Sequence, residues 1–548
     1  MYILGIGGSN HDFSAALVKD GKLLVAIEDE RIQRIKHGDA TWKSLPCMAS
    51  INYCLEYAKI SISEVDEIYA NSDLENTHLL DIGPIKTVNH HLCHASSSYF
   101  LSPFKESTLL VADGCGEPVF TDLNKQHLET ISIGKADIQN VRIETIQSGT
   151  KFLSSSNWTY RNSNSLGVFY KIVSEALGFD NRGEGKTMGL AAYGNPSLVK
   201  EMKKFVGIHK DLPFEFNPYN GIYDWLSITL NRAENKFITM ANIAFAAQAI
   251  FEEALLNIAD LAFRKYKSKN LSYSGGCALN CSANRTLKNK AAFDNVFIYP
   301  PAGDNGLAIG AALYGNFIKQ GKRNLIPVES EIGKLAYTGK SYDNSEIKNA
   351  LKKSNYHYST PENSFVEIAT RITSGEIIAL FNGRSEIGPR ALGNRSIVAN
   401  PFSENTRDYI NLKVKNRESF RPLAPMVLEE DVSIYFEEVK NSYFMLEAVL
   451  VKKEFRNLLR AVTHFDGTAR IQVVNKNSNY FAYNLLIQYK KMSGHGILLN
   501  TSFNLRGEPI VESPKDALNC FEKMAINTLF LSEFLVTKHT PWSNRIIY

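Results

Sequence analysis

Short apolar runs separated by polar turns open the chain. Tyr2 to Gly5, Ser14 to Val18 and Leu23 to Ile27 are the runs; Ser9-Asn10-His11-Asp12 and Lys19-Asp20-Gly21 are the turns. Runs of this length read as strands, and Asp-Gly between two of them predicts a hairpin. Pro46 to Ala58 reads as an amphipathic helix whose proline sits in the first turn, where a missing N–H costs little. Glu67 to Ala70, Ile85 to Val88 and Leu109 to Ala112 read as strands, and the small residues Ala95 to Tyr99 suit a helix. Residues 239–266 repeat apolar positions at helical spacing (Ile243, Ala247, Ile250, Ala254, Ile258, Leu261). A buried strand, Asn270 to Tyr273, and a small-residue helix, Leu307 to Tyr314, follow. Strands alternating with helices predict an α/β fold with covered sheets.

The periodicity fades between 318 and 345 and restarts with a helix at Ser364 to Ser374 and a strand at Ile377 to Phe381. Strands such as Ile497 to Asn500 and Leu529 to Val536 close the chain. This places a linker near 318–345 and predicts domains at 1–330 and 340–548.

At 548 residues the chain is too long for one core. Its 44% hydrophobic and 22% charged residues are ordinary for a soluble enzyme. A net charge of +4 argues against a protein that coats nucleic acid, so any anion preference must be local. No apolar run approaches the roughly 18 residues of a membrane span. The N-terminus lacks the basic start of a secretory signal. Seven cysteines without a regular framework fit a reducing, cytoplasmic setting, and Cys277 and Cys281 read as small buried residues.

His90-His91-Leu92-Cys93-His94 carries the densest chemistry. On a helix, His90 and His94 project from one face, the geometry two nitrogen ligands need to hold one metal. Asp113, at the end of an apolar strand and before Gly114-Cys115-Gly116-Glu117, suits a third ligand. Asn181 to Gly189 invites a phosphate-loop reading, but position 180 is Asp rather than Gly and no strand precedes it. A glycine-rich loop that brings Lys186 to a ligand fits better. Glycine-rich turns at Gly5 to Gly8, Asp113 to Gly116, Ser274 to Gly276 and Pro301 to Gly306 each let backbone amides approach a nucleotide. Together they resemble the turns of the superfold shared by actin, hexokinase and the heat-shock chaperone ATPases (the ASKHA superfold). In that superfold Asp304 joins the cluster as a second carboxylate; a plain helix N-cap accounts for it equally.

Cations gather in the C-terminal part: Arg384, Arg390, Arg395, Arg407, Lys413, Lys415, Arg417 and Arg421, then Arg470 and Arg506. Gly388 to Arg395 sets guanidiniums on a fixed turn, suited to bidentate phosphate contacts. Asn500-Thr501-Ser502-Phe503-Asn504 ends a strand in hydrogen-bonding side chains.

These segments resemble the NodU/CmcH/TobZ family of O-carbamoyltransferases. The carrying motifs are Asn10-His11-Asp12-x-Ser14-Ala15, His90-His91-x-x-His94-Ala95, Asp113-Gly114-x-Gly116-Glu117, Glu184 to Ala191, Gly275-Gly276-x-Ala278-Leu279-Asn280, Gly303-Asp304-x-Gly306, Gly388 to Arg395, Arg417-Glu418-x-Phe420-Arg421-Pro422 and Asn500 to Asn504. They stand in the family's order over nearly the whole chain. One departure is Ala192, where the family often has proline. The resemblance implies an N-terminal actin/hexokinase-like domain with a duplicated sheet core, akin to tRNA threonylcarbamoyl transferases. It implies a YrdC-like α/β domain after it. It also implies that the second domain makes carbamoyl-adenylate from carbamoyl phosphate and ATP (with Mg), and that the first transfers the carbamoyl group to a hydroxyl at a metal site. By motif position, His90, His94, Asp113 and Asp304 hold the metal, with iron expected and manganese or zinc admitted by the donor set. Arg390, Lys415, Arg421, Arg470, Asn500 and Ser502 bind carbamoyl phosphate. Lys186, Gly275, Gly276, Asn280 and Gly303 hold the nucleotide.

His11, in a polar turn beside Asp12, is the candidate base for the acceptor hydroxyl; orienting the ligand is its alternative role. The acceptor is a hydroxyl-bearing small molecule such as a sugar or natural product. The segment Gly149 to Ser165, rich in Ser, Asn and Tyr, is the candidate lining for it. The expected protein binds neither nucleic acid nor membrane and is a monomer or homodimer. A sugar kinase of the same superfold leaves the metal cluster and the cationic segment without work. A tRNA-modifying enzyme predicts a basic face that a near-neutral chain does not favour.

Overall fold

The structure, a computed structural model, describes residues 1–9, 11–38, 47–122, 125–152, 163–179, 182–210, 212–354, 356–439 and 441–538. Two compact units emerge. The first comprises Met1–Asn10, Ser14–Leu23 and Ile60–Pro327; the second comprises His11–Phe13, Leu24–Lys59 and Val328–Tyr548.

In the first unit the opening runs form β1 (Tyr2–Gly7) and β2 (Ser14–Lys19), paired antiparallel. Asp20 and Gly21 both take left-handed backbone, with φ 49° and 82°. The chain turns, as the Asp-Gly signal predicts, into β3 (Lys22–Glu28), whose residues from Leu24 on belong to the second unit. On its other side β1 pairs parallel with β4 (Glu67–Asn71), and β4 with β5 (Ile85–Val88). The pattern then repeats. β6 (Ser107–Ala112) pairs antiparallel with β7 (Lys125–Ala136) and parallel with β8 (Asn270–Ser274), which pairs parallel with β9 (Asn295–Phe297). One antiparallel neighbour and two successive parallel strands, used twice, are the duplicated sheet core that the family resemblance implied. Helix α1 (His90–Leu101) follows β5, α2 (Lys236–Tyr266) carries the long apolar stripe, and α3 (Leu307–Gln320) follows β9. Ile243, Ala247, Ile250, Ala254 and Ile258 of α2 are fully buried. Glycine is required where backbones meet. A Cβ at Gly310 would strike the Cys93 carbonyl of α1, and one at Gly7 would strike the backbone of α3 at Ala308.

The second unit is built on an eight-stranded sheet: β10 (His357–Ser359), β11 (Ile378–Phe381), β12 (Arg395–Ala399), β13 (Ala424–Leu428), β14 (Gln472–Val474), β15 (Ile497–Ser502), β16 (Thr528–Leu531) and β17 (Phe534–Thr537), in the order β10-β17-β16-β11-β12-β15-β13-β14. The run Leu529 to Val536 is two strands rather than one, because Ser532 takes left-handed backbone (φ 60°) and turns the chain. Helices α4 (Ser364–Thr373) and α5 (Tyr480–Ser493) cover the sheet through Ile368, Ile372, Leu485 and Tyr489, packed with Leu380, Val398, Met426 and Leu498. Truncating a side chain such as Leu485 to Ala there costs about 2–5 kcal/mol. The predicted helix at Pro46 to Ala58 runs Met48–Ala58, and Pro46 lies outside the described residues.

Candidate functional site

Asn89 caps α1, its side chain accepting the Leu92 N–H at 2.8 Å. The helix therefore begins where His90 and His94 stack one turn apart, both fully buried. Asp113 stands just past the end of β6, and Asp304 in the turn that leads into α3. The four side chains converge. His90 Nε2 lies 3.1 Å from His94 Nε2. Asp113 Oδ2 is 3.5 and 3.8 Å from the two nitrogens, and Asp304 Oδ1 is 3.7 and 3.6 Å from them. Bonds of about 2.1 Å to a common centre set ligands roughly 3.0–3.4 Å apart in tetrahedral or octahedral geometry. The observed spacings approach that range, so the residues fit a divalent ion, and the two-histidine, two-carboxylate donor set suits iron, manganese or zinc.

The supporting contacts point the same way. His90 Nδ1 faces both oxygens of Asp73, at 2.9 and 2.8 Å. That contact fixes the ring and turns Nε2 toward the cluster, the usual partner of a metal-ligating imidazole. Ser9 Oγ donates to Asp304 Oδ2 (2.7 Å), and Asp113 Oδ1 accepts the Gly276 N–H (2.7 Å). Burial alone would push the His90 pKa down, but Asp73, Asp113 and Asp304 outweigh it and hold it well above the ordinary value. The surplus negative charge that holds a proton there equally favours a dication. His91 is different. It turns to Ser132 Oγ (2.7 Å), and burial and His90 hold its pKa well below the ordinary value. Asp73 and Ser9 escaped the sequence reading because neither lies in a recognisable spacing with the histidines.

The glycine turns proposed for the nucleotide border this cluster. The Gly275 N–H donates to the Ala302 carbonyl (2.9 Å), tying the 274–276 turn to the one that holds Gly303 and Asp304. At Gly276, a Cβ would press on Asp113 Oδ1 at 2.8 Å. Asn280 caps the next helix through the Ala283 N–H and exchanges two hydrogen bonds with Gln248. Lys186 sits on the short helix Glu184–Ala191, its ammonium 5.8 Å from the Phe179 ring centre. Asp180 and Asn181 of that loop, and residues 153–162 of the candidate acceptor lining, lie outside the described residues.

In the second unit the structure sorts the cations. Arg395 is fully buried, donates to the Asn382 carbonyl (2.7 Å) and lies over the Phe381 ring; Arg384 donates to the Gly339 and Thr338 carbonyls. Both fasten backbone. Lys415, Arg417, Arg421 and Arg470 share one electrostatic neighbourhood. Lys415 donates to the Asn504 carbonyl (2.9 Å), Asn504 Oδ1 (2.7 Å) and Ser502 Oγ (3.3 Å). Burial, and then Arg417, hold its pKa well below the ordinary lysine value. Burial and the charges of Arg421 and Arg470 push Arg417 down to about 9. Groups so crowded gain from an anion. Asn500 Nδ2 donates to Gln472 Oε1 (2.9 Å) and the Ala391 carbonyl (3.2 Å), which joins it to the Arg390 turn. Arg417, read in sequence as a cation and motif residue but not as a carbamoyl phosphate ligand, couples to Lys415, Arg421 and Arg470.

His11 and Asp12 belong to the second unit. Asp12 Oδ2 lies 2.8 Å from His11 Nδ1, and its Oδ1 lies 2.8 Å from His37 Nδ1. Burial would raise the Asp12 pKa, but the two imidazoles overcome it and hold the carboxyl well below its usual range. Asn10 lies outside the described residues.

Comparison with known proteins divides the chain by sequence, and residues 11–13 and 24–59 of the second unit fall in the N-terminal match. The family described as Carbamoyltransferase N-terminus matches residues 2–81 and 69–313, and Carbamoyltransferase C-terminus matches 369–538. An uncharacterized protein of Synechocystis is 33% identical over 98% of this chain and 97% of its own. The nodulation protein NolNO of Sinorhizobium fredii is 33% identical over 97% of this chain and 79% of its own. Among solved structures, full-length HypF in the phosphate- and nucleotide-bound form is 14% identical, covers 58% of this chain and 55% of its own, and has a TM-score of 0.35.

Proposed function

This chain belongs to the carbamoyltransferase family, the NodU/CmcH/TobZ type, and from that premise we propose that it is an ATP-dependent O-carbamoyltransferase. The observation that carries the proposal is the convergence of His90, His94, Asp113 and Asp304 beside glycine turns, which a phosphoryl-transferring kinase does not require. In this reading residues 340–548, YrdC-like, form carbamoyl-adenylate, and residues 1–330 pass the carbamoyl group to a hydroxyl. Carbamoyl phosphate gives up orthophosphate to water, leaving carbamate, a poor electrophile. A carbamate oxygen then bonds to the α-phosphorus of ATP as pyrophosphate leaves, and the AMP so joined is a phosphate leaving group. Arg390, Lys415, Arg421, Arg470, Asn500 and Ser502 hold carbamoyl phosphate, and Arg417 adds charge to that pocket. Lys186 and the turns at Gly275, Gly276 and Gly303, with Asn280 shaping the loop after them, bind the nucleotide.

His90, His94, Asp113 and Asp304 would hold the divalent ion, iron by family resemblance, which supplies Lewis-acid stabilisation of developing negative charge. In the transfer step the acceptor oxygen bonds to the carbamoyl carbon, its proton passes to His11, and AMP leaves with the electrons of the broken C–O bond. A positioned imidazole contributes about 10²–10⁴-fold. The acceptor is a hydroxyl-bearing small molecule. Among the described residues no helix is long and apolar enough to cross a membrane.

The test is exchange of labelled pyrophosphate into ATP. Exchange that requires carbamoyl phosphate supports the proposal. Exchange that requires threonine and bicarbonate instead assigns the chain to tRNA modification, and phosphorylation of a sugar with no exchange assigns it to the kinases.

A further inference from the structure

We propose that His37 is a positioning residue of the transfer step: through Asp12 it fixes the tautomer and orientation of His11. The proposal rests on the reading of His11 as the transfer base and names a residue beyond that reading.

Three observations carry it. First, one carboxylate serves two rings, each Nδ1 standing 2.8 Å from its own oxygen. A carboxyl held ionised only accepts, so both rings place their proton on Nδ1. With Nδ1 the protonated nitrogen, the neutral ring of His11 carries its lone pair on Nε2, the form a base needs. Second, the backbone is held in an unusual shape. Asp12 and His37 both take left-handed conformations, with φ 54° and 64°. Asp12 N–H donates to the His37 carbonyl (2.8 Å), and His37 N–H donates to Glu30 Oε2 (2.7 Å). Two non-glycine residues kept in this sparsely used region, and locked to each other, mark an arrangement the surrounding fold enforces. Third, the group is open to its surroundings: the side chains of His11, Asp12 and His37 retain 30%, 22% and 32% exposure. A pair serving only the core would be closed.

Asp12, Glu30 and His37 also lie close enough together to chelate a cation. The geometry favours hydrogen bonds. In the first unit two Nε2 atoms face each other at 3.1 Å, whereas here each nitrogen faces a separate oxygen.

The experiment uses His37→Asn and Asp12→Asn in the full chain; asparagine tolerates left-handed backbone, so the fold is retained. Nitrogen-15 NMR of histidine-labelled protein reads the His11 tautomer directly. Transfer from preformed carbamoyl-adenylate and carbamoyl-phosphate-dependent exchange are followed separately. The expected result is Nδ1–H at His11 in the native protein and a tautomer mixture in both variants. Transfer should fall about 100-fold in Asp12→Asn and about tenfold in His37→Asn, with kcat reduced more than KM and transfer hurt more than exchange. An unchanged tautomer in His37→Asn, or equal loss of both half-reactions, overturns the proposal. So does a second bound ion that disappears with His37. Native protein with the expected tautomer but no carbamoyl-phosphate-dependent chemistry refutes the transferase reading instead.

Discussion

In the first unit, two imidazole nitrogens and two carboxylates converge within 3.1–3.8 Å, and against burial the carboxylates of Asp73, Asp113 and Asp304 hold His90 well above its ordinary pKa. In the second unit, Lys415 shares an electrostatic neighbourhood with three arginines, and burial, then Arg417, drives Lys415 well below its own. His90, His94 and Lys415 are buried, and charge gathered at such positions is costly in isolation. The first set gains from a cation and the second from an anion. In the proposed function the second set would bind the anionic donor and the first would stabilise charge on the reacting group.

The sharpest way to break this contrast is to remove the chelating pair. Replacing His90 and His94 together by Ala should abolish tight metal binding and lower carbamoyl transfer more than about 1,000-fold, judged by metal content and product mass. Retained ion and retained product would end the metal reading. Next in size, Lys415→Ala should lower carbamoyl-phosphate-dependent exchange about 100-fold, in line with about 2–5 kcal/mol for truncating a buried charged partner. Asp73→Asn keeps all four ligands but frees the His90 ring; chelator competition should show metal affinity weaker by about 10–100-fold. An unchanged affinity would make Asp73 incidental.

The smallest effect concerns pH. Burial and neighbouring arginines lower the Lys415 pKa, so the side chain carries its charge only below that depressed value. A bound anion favours the charged form. Carbamoyl phosphate should therefore bind fully below that pKa and more weakly as pH rises through it, by at most about tenfold per pH unit. Lys415→Arg keeps its charge across the range, and a slope that persists in it would assign the titration to another group.

The two regions also differ in how much of them the sequence revealed. Three members of the His90 cluster were legible because His-x3-His is a local helical spacing and Asp113 lies at a strand end before a glycine turn, whereas Asp304 entered through the resemblance. The strands around the cluster were legible as short runs between turns, as at Asp20-Gly21, while their duplication was implied only by the family resemblance. Asp73 was invisible: it reaches His90 from a loop 17 residues upstream, and no periodic signal links the two. In the second unit, cation density flagged a pocket but did not separate its members. Arg384 and Arg395 have the same composition around them as Arg390, yet they bind backbone carbonyls. His37 likewise meets Asp12 across 25 residues, through a left-handed turn that no sequence pattern announces.

Labelled pyrophosphate exchange into ATP, run side by side on the native chain, Lys415→Ala and the double variant His90→Ala with His94→Ala, tests the division of labour most directly. The account predicts exchange that depends on carbamoyl phosphate, is lost with Lys415, and persists when the chelating histidines are gone although transfer does not. Exchange without carbamoyl phosphate, or exchange lost equally in both variants, would contradict it.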